Sequence, residues 1–413
     1  MIQPADRKML RDLARRVADA ADLPIMAQRR ELWKQHNALR PTRPMILVFP
    51  EGAWAELLPE SALICQPEAR RYEWALRARL YTHEHFADDT VVEKHWDVHQ
   101  VLRHSSWGLE IRRIASPTAR GAWHFDPVIR VPTDLKKLRV PEVSIDEQAT
   151  RQALAEAQDL FGDILDVQLK GITHHSFHLM SHYTALRGLE EVMLDMIDNP
   201  AWLHDAMAFL TQAYQNIFQQ YRGLNLLSRN NDGTYHSSGG VGYTDELAAH
   251  ADAAAGAVVQ PSDMWCSSES QELAQVSPEM HREFALHYEK QLLAPFGLNG
   301  YGCCEDLSRK LDDVLTIPHI RRISMSPFAD VDVAAPQLKD RRAIFSWKPH
   351  PSHLVGKFDE ERIGRYIQHT VDVCRHNHCA LEVILKDTHT CENQPERFDR
   401  WTRIARKIVD GGE

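Results

Sequence analysis

The sequence lacks any uninterrupted apolar run of the roughly 18 residues that a membrane-spanning helix needs. It also lacks a block of lysine and arginine: 58 acidic residues outnumber 48 basic ones, for a formal charge of −10. That balance excludes a broad electrostatic footprint for nucleic acid or anionic lipid. The opening stretch MIQPADRKMLRDLARRVADAADL alternates charged and apolar residues at helical spacing. It has no uncharged core of the kind a secretory signal carries, which predicts a cytoplasmic protein. Familiar catalytic signatures are missing as well. There is no GxxxxGK(S/T) phosphate loop, no G-x-S-x-G elbow, no HExxH and no paired CxxC. No Gly/Ser-rich or repeated segment divides the 413 residues.

What is present is histidine, 23 residues of it, and seven cysteines, of which five lie beyond residue 300. An odd cysteine count at low density reads as free thiols in a reducing compartment rather than a disulfide framework. Short β-branched runs alternate with longer helical ones, the pattern of βα units around a parallel sheet. Strands are predicted at 44–49, 164–171, 256–260, 296–302, 321–326, 343–347 and 380–386, with more from 109–131 or 224–229. The Ser277-Pro278 pair predicts a helix running to Gly297.

The predicted fold is α/β, a (β/α)₈ TIM-type barrel over 44–413. An N-terminal helical extension at 1–43 precedes it, and an insertion follows the first strand, at 60–125. A doubly wound sheet is the alternative. The barrel is preferred because strand after strand runs into a chemical cluster: LKGITHHSFH, QPSDMWCSSESQE, GYGCCED, ISMSPFAD, FSWKPHP and ILKDTHTCEN. In a barrel such strand ends converge on the face where active sites are built.

Each cluster suggests a role. Cys303, Cys304 and Cys391, from separate strand ends, could form a three-ligand zinc site, with Glu305 and His389 in reserve as ligands or catalytic groups. The opposing reading leaves one vicinal cysteine in the core and the other a spectator. His174, His175 and His178 would line the cavity, and Asp263, after the 256–260 strand, is the carboxylate best placed for proton transfer. Lys348 would neutralise a substrate carboxylate. His236, Trp265, Tyr301 and Ser326 complete the expected substrate contacts. The loop 229–250, containing GGVG at 239–242, is expected to close over the mouth as a lid. Cys374, His376, His378 and Cys379 precede the strand at 380–386, on the face opposite an active site, and are set aside.

From about residue 160 onward the order of these clusters resembles the uroporphyrinogen decarboxylase superfamily, nearest its methyltransferase branch. The residues that carry the likeness are DMW followed by SPEMHREFALHYEKQLL, then LNGYGCCEDL, IRRISMSPFADV and ALEVILKDTH. The resemblance implies a (β/α)₈ barrel. It also implies methyl transfer between a small-molecule donor or acceptor and a corrinoid held on a separate protein. Zinc would hold a thiol as thiolate or polarise a leaving group. Two departures stand out. PEGAWAELLPES occupies the place of the decarboxylases' R-Q-A-G-R, so tetrapyrrole decarboxylation is not expected. Tyr301-Gly302-Cys303 stands where the methyltransferases carry His-x-Cys, leaving Cys304 or Glu305 to replace the histidine.

Asp387-Thr388-His389 is similar to the Asp-x-His of a cobalamin module. Only about 24 residues follow, too few for the domain that buries the nucleotide tail, so a partner would have to bring the corrinoid. The rival readings are a metal-assisted lyase or decarboxylase on the same barrel, and an inactive ligand-binding barrel. Assembly into a homodimer is left open.

Overall fold

A computed structural model describes residues 2–118, 124–236, 239–247 and 258–411. Its strands are β1 (Met45–Val48), β2 (His95–His99), β3 (Leu102–His104), β4 (Arg112–Ile114), β5 (His124–Asp126), β6 (Val143–Ile145), β7 (Asp166–Lys170), β8 (Ser176–Phe177), β9 (Trp265–Ser268), β10 (Leu298–Tyr301), β11 (Ile320–Met325), β12 (Ile344–Trp347) and β13 (Ala380–Leu385). Seven of them form one sheet in the order β8-β9-β10-β11-β12-β13-β1, and every pairing in it is parallel. From β8 to β13 each strand adds beside its predecessor, and then the first strand of the chain pairs with the last. That order is the TIM-type arrangement of an α/β fold. β2 and β7 form a separate parallel pair. Among the described residues no ladder joins that pair to β1 or β8, although Asp89 N donates to Ile46 O at 2.8 Å beside β1.

One strand lies elsewhere than the sequence predicts. Residues 258–260 are not strand, and 256–257 fall outside the described residues; the strand is Trp265–Ser268. Pro261 has no N–H for a ladder and instead opens a turn at Pro261–Asp263. The predicted 224–229 strand is reduced to a single bridge, Ile172 with Leu227. The stretch 109–131 supplies only the short antiparallel pair β4·β5. The helix begun by Ser277, whose side chain accepts from Met280 N, passes through a wider turn at Arg282–Leu286 before its last segment, His287–Leu293.

Alternation along the strands builds two unlike faces. Ile323 and Met325, Phe345 and Trp347, and Leu381, Val383 and Leu385 face the helices and belong to the main apolar core. The other face is polar. Ser324, Ser346 and Glu382 fall in one row across β11, β12 and β13. Arg322 reaches Glu382 with Nε 2.9 Å from Oε1, both side chains fully shut off from solvent. The helix Pro24–Asn37 ends against this pair: His36 Nε2 lies 3.2 Å from Glu382 Oε2, and Arg322 Nη2 donates to Asn37 Oδ1 at 2.7 Å. The Arg322 guanidinium also sits over the Trp265 ring, 5.0 Å from its centre. The helix Pro4–Ala21 joins a second apolar cluster, in which Leu10 and Leu13 meet Tyr72, Leu76, Trp96 and Phe161.

Burial alone would raise the Glu382 carboxyl, but the Arg322 charge and the His36 hydrogen bond outweigh it and hold it at about 2. A depressed carboxyl stabilises the fold above its unfolded value, and that contribution is lost as pH falls through the folded one. The Glu382 contribution is therefore present above pH ~4.5 and disappears towards pH ~2. Glu382→Gln leaves Arg322 buried without its counter-charge, so urea unfolding should show a loss of about 3–5 kcal/mol at neutral pH. A loss under about 1 kcal/mol would mean that the pair is not the organising contact of the interior.

Candidate active site

The sheet's strands deliver polar side chains at their C-terminal ends. β9 leads into Glu269, β10 into Gly302-Cys303-Cys304-Glu305, β12 into Lys348, and β13 into Lys386 and Asp387. Gly302 makes the turn after β10 with φ +91°, and a Cβ there would lie 2.6 Å from Leu307 Cδ1, so glycine is required. Beyond it the chain is pinned: Ser324 Oγ donates to Cys303 O at 2.8 Å, and Cys303 N donates to Glu305 Oε2 at 2.9 Å. The two sulfurs lie 3.5 Å apart, with Cys303 half-buried and Cys304 exposed. The hydrogen bond from Cys303 lowers the Cys304 thiol below its ordinary value, and the Lys386 charge works in the same direction.

Glu305 is buried, and its Oε1 has no hydrogen-bond partner among the described residues. Burial, with the neighbouring Glu269 charge, raises its carboxyl to about 7. Glu269 pairs with His178 through Nδ1, which outweighs burial and lifts the imidazole above its usual value. Lys348 Nζ donates to Ser346 O and Oγ, each at 3.0 Å. Burial, then the Lys386 charge, pull it down to about 7. Lys386 lies 3.6 Å from Asp387. Cys303, Cys304, Glu305, Lys348, Glu269 and His178, with Lys386 and Asp387, are thus the groups that the strand ends supply.

Other expected residues sit elsewhere. Asp263 lies before β9, at the N-terminal end of the strand, and its Oδ2 accepts from Gln260 N at 3.0 Å as a turn cap. The misplaced strand had put it at the mouth. Tyr301 points outward from β10: its hydroxyl donates to Glu289 Oε2 at 2.7 Å and lies 2.8 Å from His281 Nε2, in the layer between sheet and helix. The His175 ring packs edge-on against Phe177 and Phe218, at 4.5 and 4.7 Å between centres, and burial pushes it down to about 3, so it is a neutral histidine packed among aromatic rings. His174 is exposed, 6.0 Å from His236 between ring centres. Ser326 is buried, with its hydroxyl accepting from Phe328 N at 3.3 Å. His389 is exposed and packs over Gly52, its Nδ1 3.2 Å from where a Cβ on that glycine would be.

The segment expected as a lid is, in its described part, an internal plug. Gly239 N donates to His236 O, His236 N to Gly240 O, and Gly242 N to Thr234 O, at 2.7 to 3.1 Å, closing a tight hairpin. Gly239 and Gly240 have φ of +112° and +66°. A Cβ on Gly239 would fall 2.0 Å from Ser346 Oγ, and one on Gly240 2.4 Å from Arg322 Nη2. His236 belongs to this plug and Trp265, at the start of β9, packs against it: their rings lie 5.2 Å apart, and Trp265 Nε1 donates to Gly242 O at 3.0 Å. Residues 237–238 and 248–250 of the expected lid lie outside the described residues. Sequence reasoning missed Tyr235, whose ring packs at a tilt against Phe49, 4.3 Å between centres, and which couples electrostatically to Lys386 and Cys303. Its position four residues before Gly239 was the available signal.

The zinc reading needs Cys391 beside Cys303 and Cys304. Instead the Cys391 thiol is fully buried and donates to Glu56 Oε2 at 3.1 Å. Burial and the Glu56 carboxylate raise it to about 11, the opposite of what a thiolate ligand requires. Among the described residues no three His, Cys, Asp or Glu side chains gather to hold a metal ion. The donor set as arranged does not fit zinc.

No family model matches the chain, and no curated protein does. Among solved structures, a methyltransferase from Methanosarcina mazei is similar over 92% of this chain and 98% of its own, at 12% identity and a TM-score of 0.49. At that identity no activity or site residue carries over.

Metal analysis of the parent and of Cys391→Ser should give the same content. One zinc per chain that disappears on substitution would require Cys391 to leave Glu56 and join the vicinal pair.

Proposed function

We propose that the chain is an enzyme that moves a methyl group between a small molecule and an acceptor, with its own vicinal thiols as the nucleophilic centre. The observation that carries this reading is the Cys303–Cys304 pair at the end of β10, its sulfurs 3.5 Å apart. A thiolate is a soft nucleophile suited to displacement at a methyl carbon. Cys304, the exposed member with the lowered thiol, attacks; the methyl–heteroatom bond breaks, and the leaving group departs with the electron pair. Glu305, raised to about 7 beside the pair, is the proton donor to that leaving group. His178, held by Glu269, borders the same space. The family resemblance adds a corrinoid on a partner protein as the second methyl carrier, which would supply a cobalt nucleophile or a methylated donor.

One observation favours a second reading, a lyase or decarboxylase. Lys348, buried at the end of β12 and held at about 7, could bind a substrate carboxylate and stabilise the charge left when CO₂ departs.

The test is a single-turnover incubation of purified protein with a panel of methylated amines, thioethers and methyl ethers, with and without added cob(I)alamin. The expected result is methylation of Cys304 or of the corrinoid, reduced on the order of a hundredfold or more by Cys304→Ser. The rate should rise with pH as Cys304 ionises and fall above about 7 as Glu305 loses its proton, with the descending limb abolished in Glu305→Gln. Release of CO₂ from carboxylate substrates, unaffected by Cys304→Ser and lost in Lys348→Met, would replace the first reading with the second. Binding without turnover would sink both.

A further inference from the structure

We propose that Cys303 and Cys304 are a reversible oxidative-modification site, which a low-molecular-weight disulfide such as glutathione disulfide closes into a vicinal disulfide. Adjacent side chains often diverge. Here the turn at Gly302 and the two backbone anchors, to Ser324 and to Glu305, bring both sulfurs to one side at 3.5 Å. Closure to the ~2.05 Å of an S–S bond is then a matter of side-chain rotation and small backbone adjustment. Accessibility selects this pair. Cys304 is exposed and Cys303 half-buried, whereas Cys65, Cys266, Cys374, Cys379 and Cys391 are buried.

The chemistry is ordinary thiol–disulfide exchange. The Cys304 thiolate attacks one sulfur of the external disulfide, forms a mixed disulfide and releases one thiolate, which takes up a proton. Cys303 then loses its proton to solvent and attacks the Cys304 sulfur, displacing the second thiol. Two electrons pass from the cysteine pair to the external disulfide, which leaves as two thiols. Neighbouring Cα atoms are about 3.80 Å apart, inside the ~4.4 Å lower bound of usual disulfides. The eight-membered ring is therefore strained, and small dithiols reduce it readily. Closure stands on the sulfur geometry alone. Only its consequence, withdrawal of the nucleophile from the mouth, rests on the methyl-transfer reading.

The experiment treats the full chain with glutathione disulfide and maps the peptide containing 303–304 by mass spectrometry. The expected product has lost two hydrogens, retains no glutathione, and reverts with dithiothreitol. Cys303→Ser should instead hold one glutathione on Cys304, and Cys304→Ser should form neither product at a comparable rate. Circular dichroism establishes that each variant is folded. Should a variant fail to fold, phenylarsine oxide keeps the question open to test on the parent. This arsenical needs two neighbouring thiols and should bind once per chain and block the oxidation. A parent that stops at a stable mixed disulfide, or that is oxidised at Cys374 and Cys379 while 303 and 304 stay free, overturns the proposal. Because the readout is mass, failure of methyl transfer leaves this result standing, and the reverse also holds.

Discussion

Arg322 and Glu382 face each other inside the sheet with no access to water, and much of the chain is arranged to satisfy them. A buried ion pair is costly unless its remaining hydrogen-bonding positions are filled. Here much of the filling comes from far along the sequence, although Arg322 Nη1 keeps no hydrogen-bond partner among the described residues. His36 and Asn37 arrive at the end of the second helix, and Val241 O, 3.4 Å from Arg322 Nη2, arrives with the inserted hairpin. The N-terminal helices are thereby tied to the last three strands of the sheet through polar contacts, while their apolar faces pack on the helix Pro67–His85 and on the β2·β7 pair. Trp265 and the guanidinium stack against one another and seal a further side of the pair.

This interior explains the two glycines of the hairpin. At 239 and 240 any side chain would collide with Ser346 or with Arg322 itself, and both residues sit at positive φ. The segment therefore fills the space between the strands instead of moving above them. Reactive groups are displaced to the next layer, where Lys348 rests on Ser346 and the vicinal cysteines follow Gly302. The same crowding shapes the proton chemistry. Lys348 and Glu305 are both drawn towards neutrality by burial, the first downward and the second upward, so each is poised near pH ~7.

Much of the architecture was legible in the chain. The strands around 45, 298, 322, 345 and 382 announce themselves as short β-branched runs followed by chemistry, and the chain order of βα units points to a parallel sheet. Cys303, Cys304, Glu305 and Lys348 could be singled out because residues just beyond a strand's end are placed by the strand itself, whereas His178 follows β8, a two-residue strand that the predicted 164–171 does not reach. The failures have separate causes. GAVVQ at 256–260 has the composition of a strand, but Pro261 opens a turn and the strand begins only at Trp265, which puts Asp263 in a turn cap instead of at the mouth. Tyr301 was expected at the mouth because it stands where the resembled family carries its histidine, but on β10 its side chain points to Glu289 and His281 between sheet and helix.

The sequence by itself determined the α/β class, the parallel order and the supply of thiols and acids at strand ends, since these follow from local pattern and chain order. Only the tertiary structure decided which of them meet. That the Cys391 thiol hydrogen-bonds to Glu56 rather than joining Cys303 and Cys304 depends on a residue 335 positions away. That GGVG becomes a plug depends on Arg322 and Ser346. Such partners are chosen by the packing of distant segments into one closed interior, where desolvation makes every unpaired polar atom costly, and no local pattern encodes that choice.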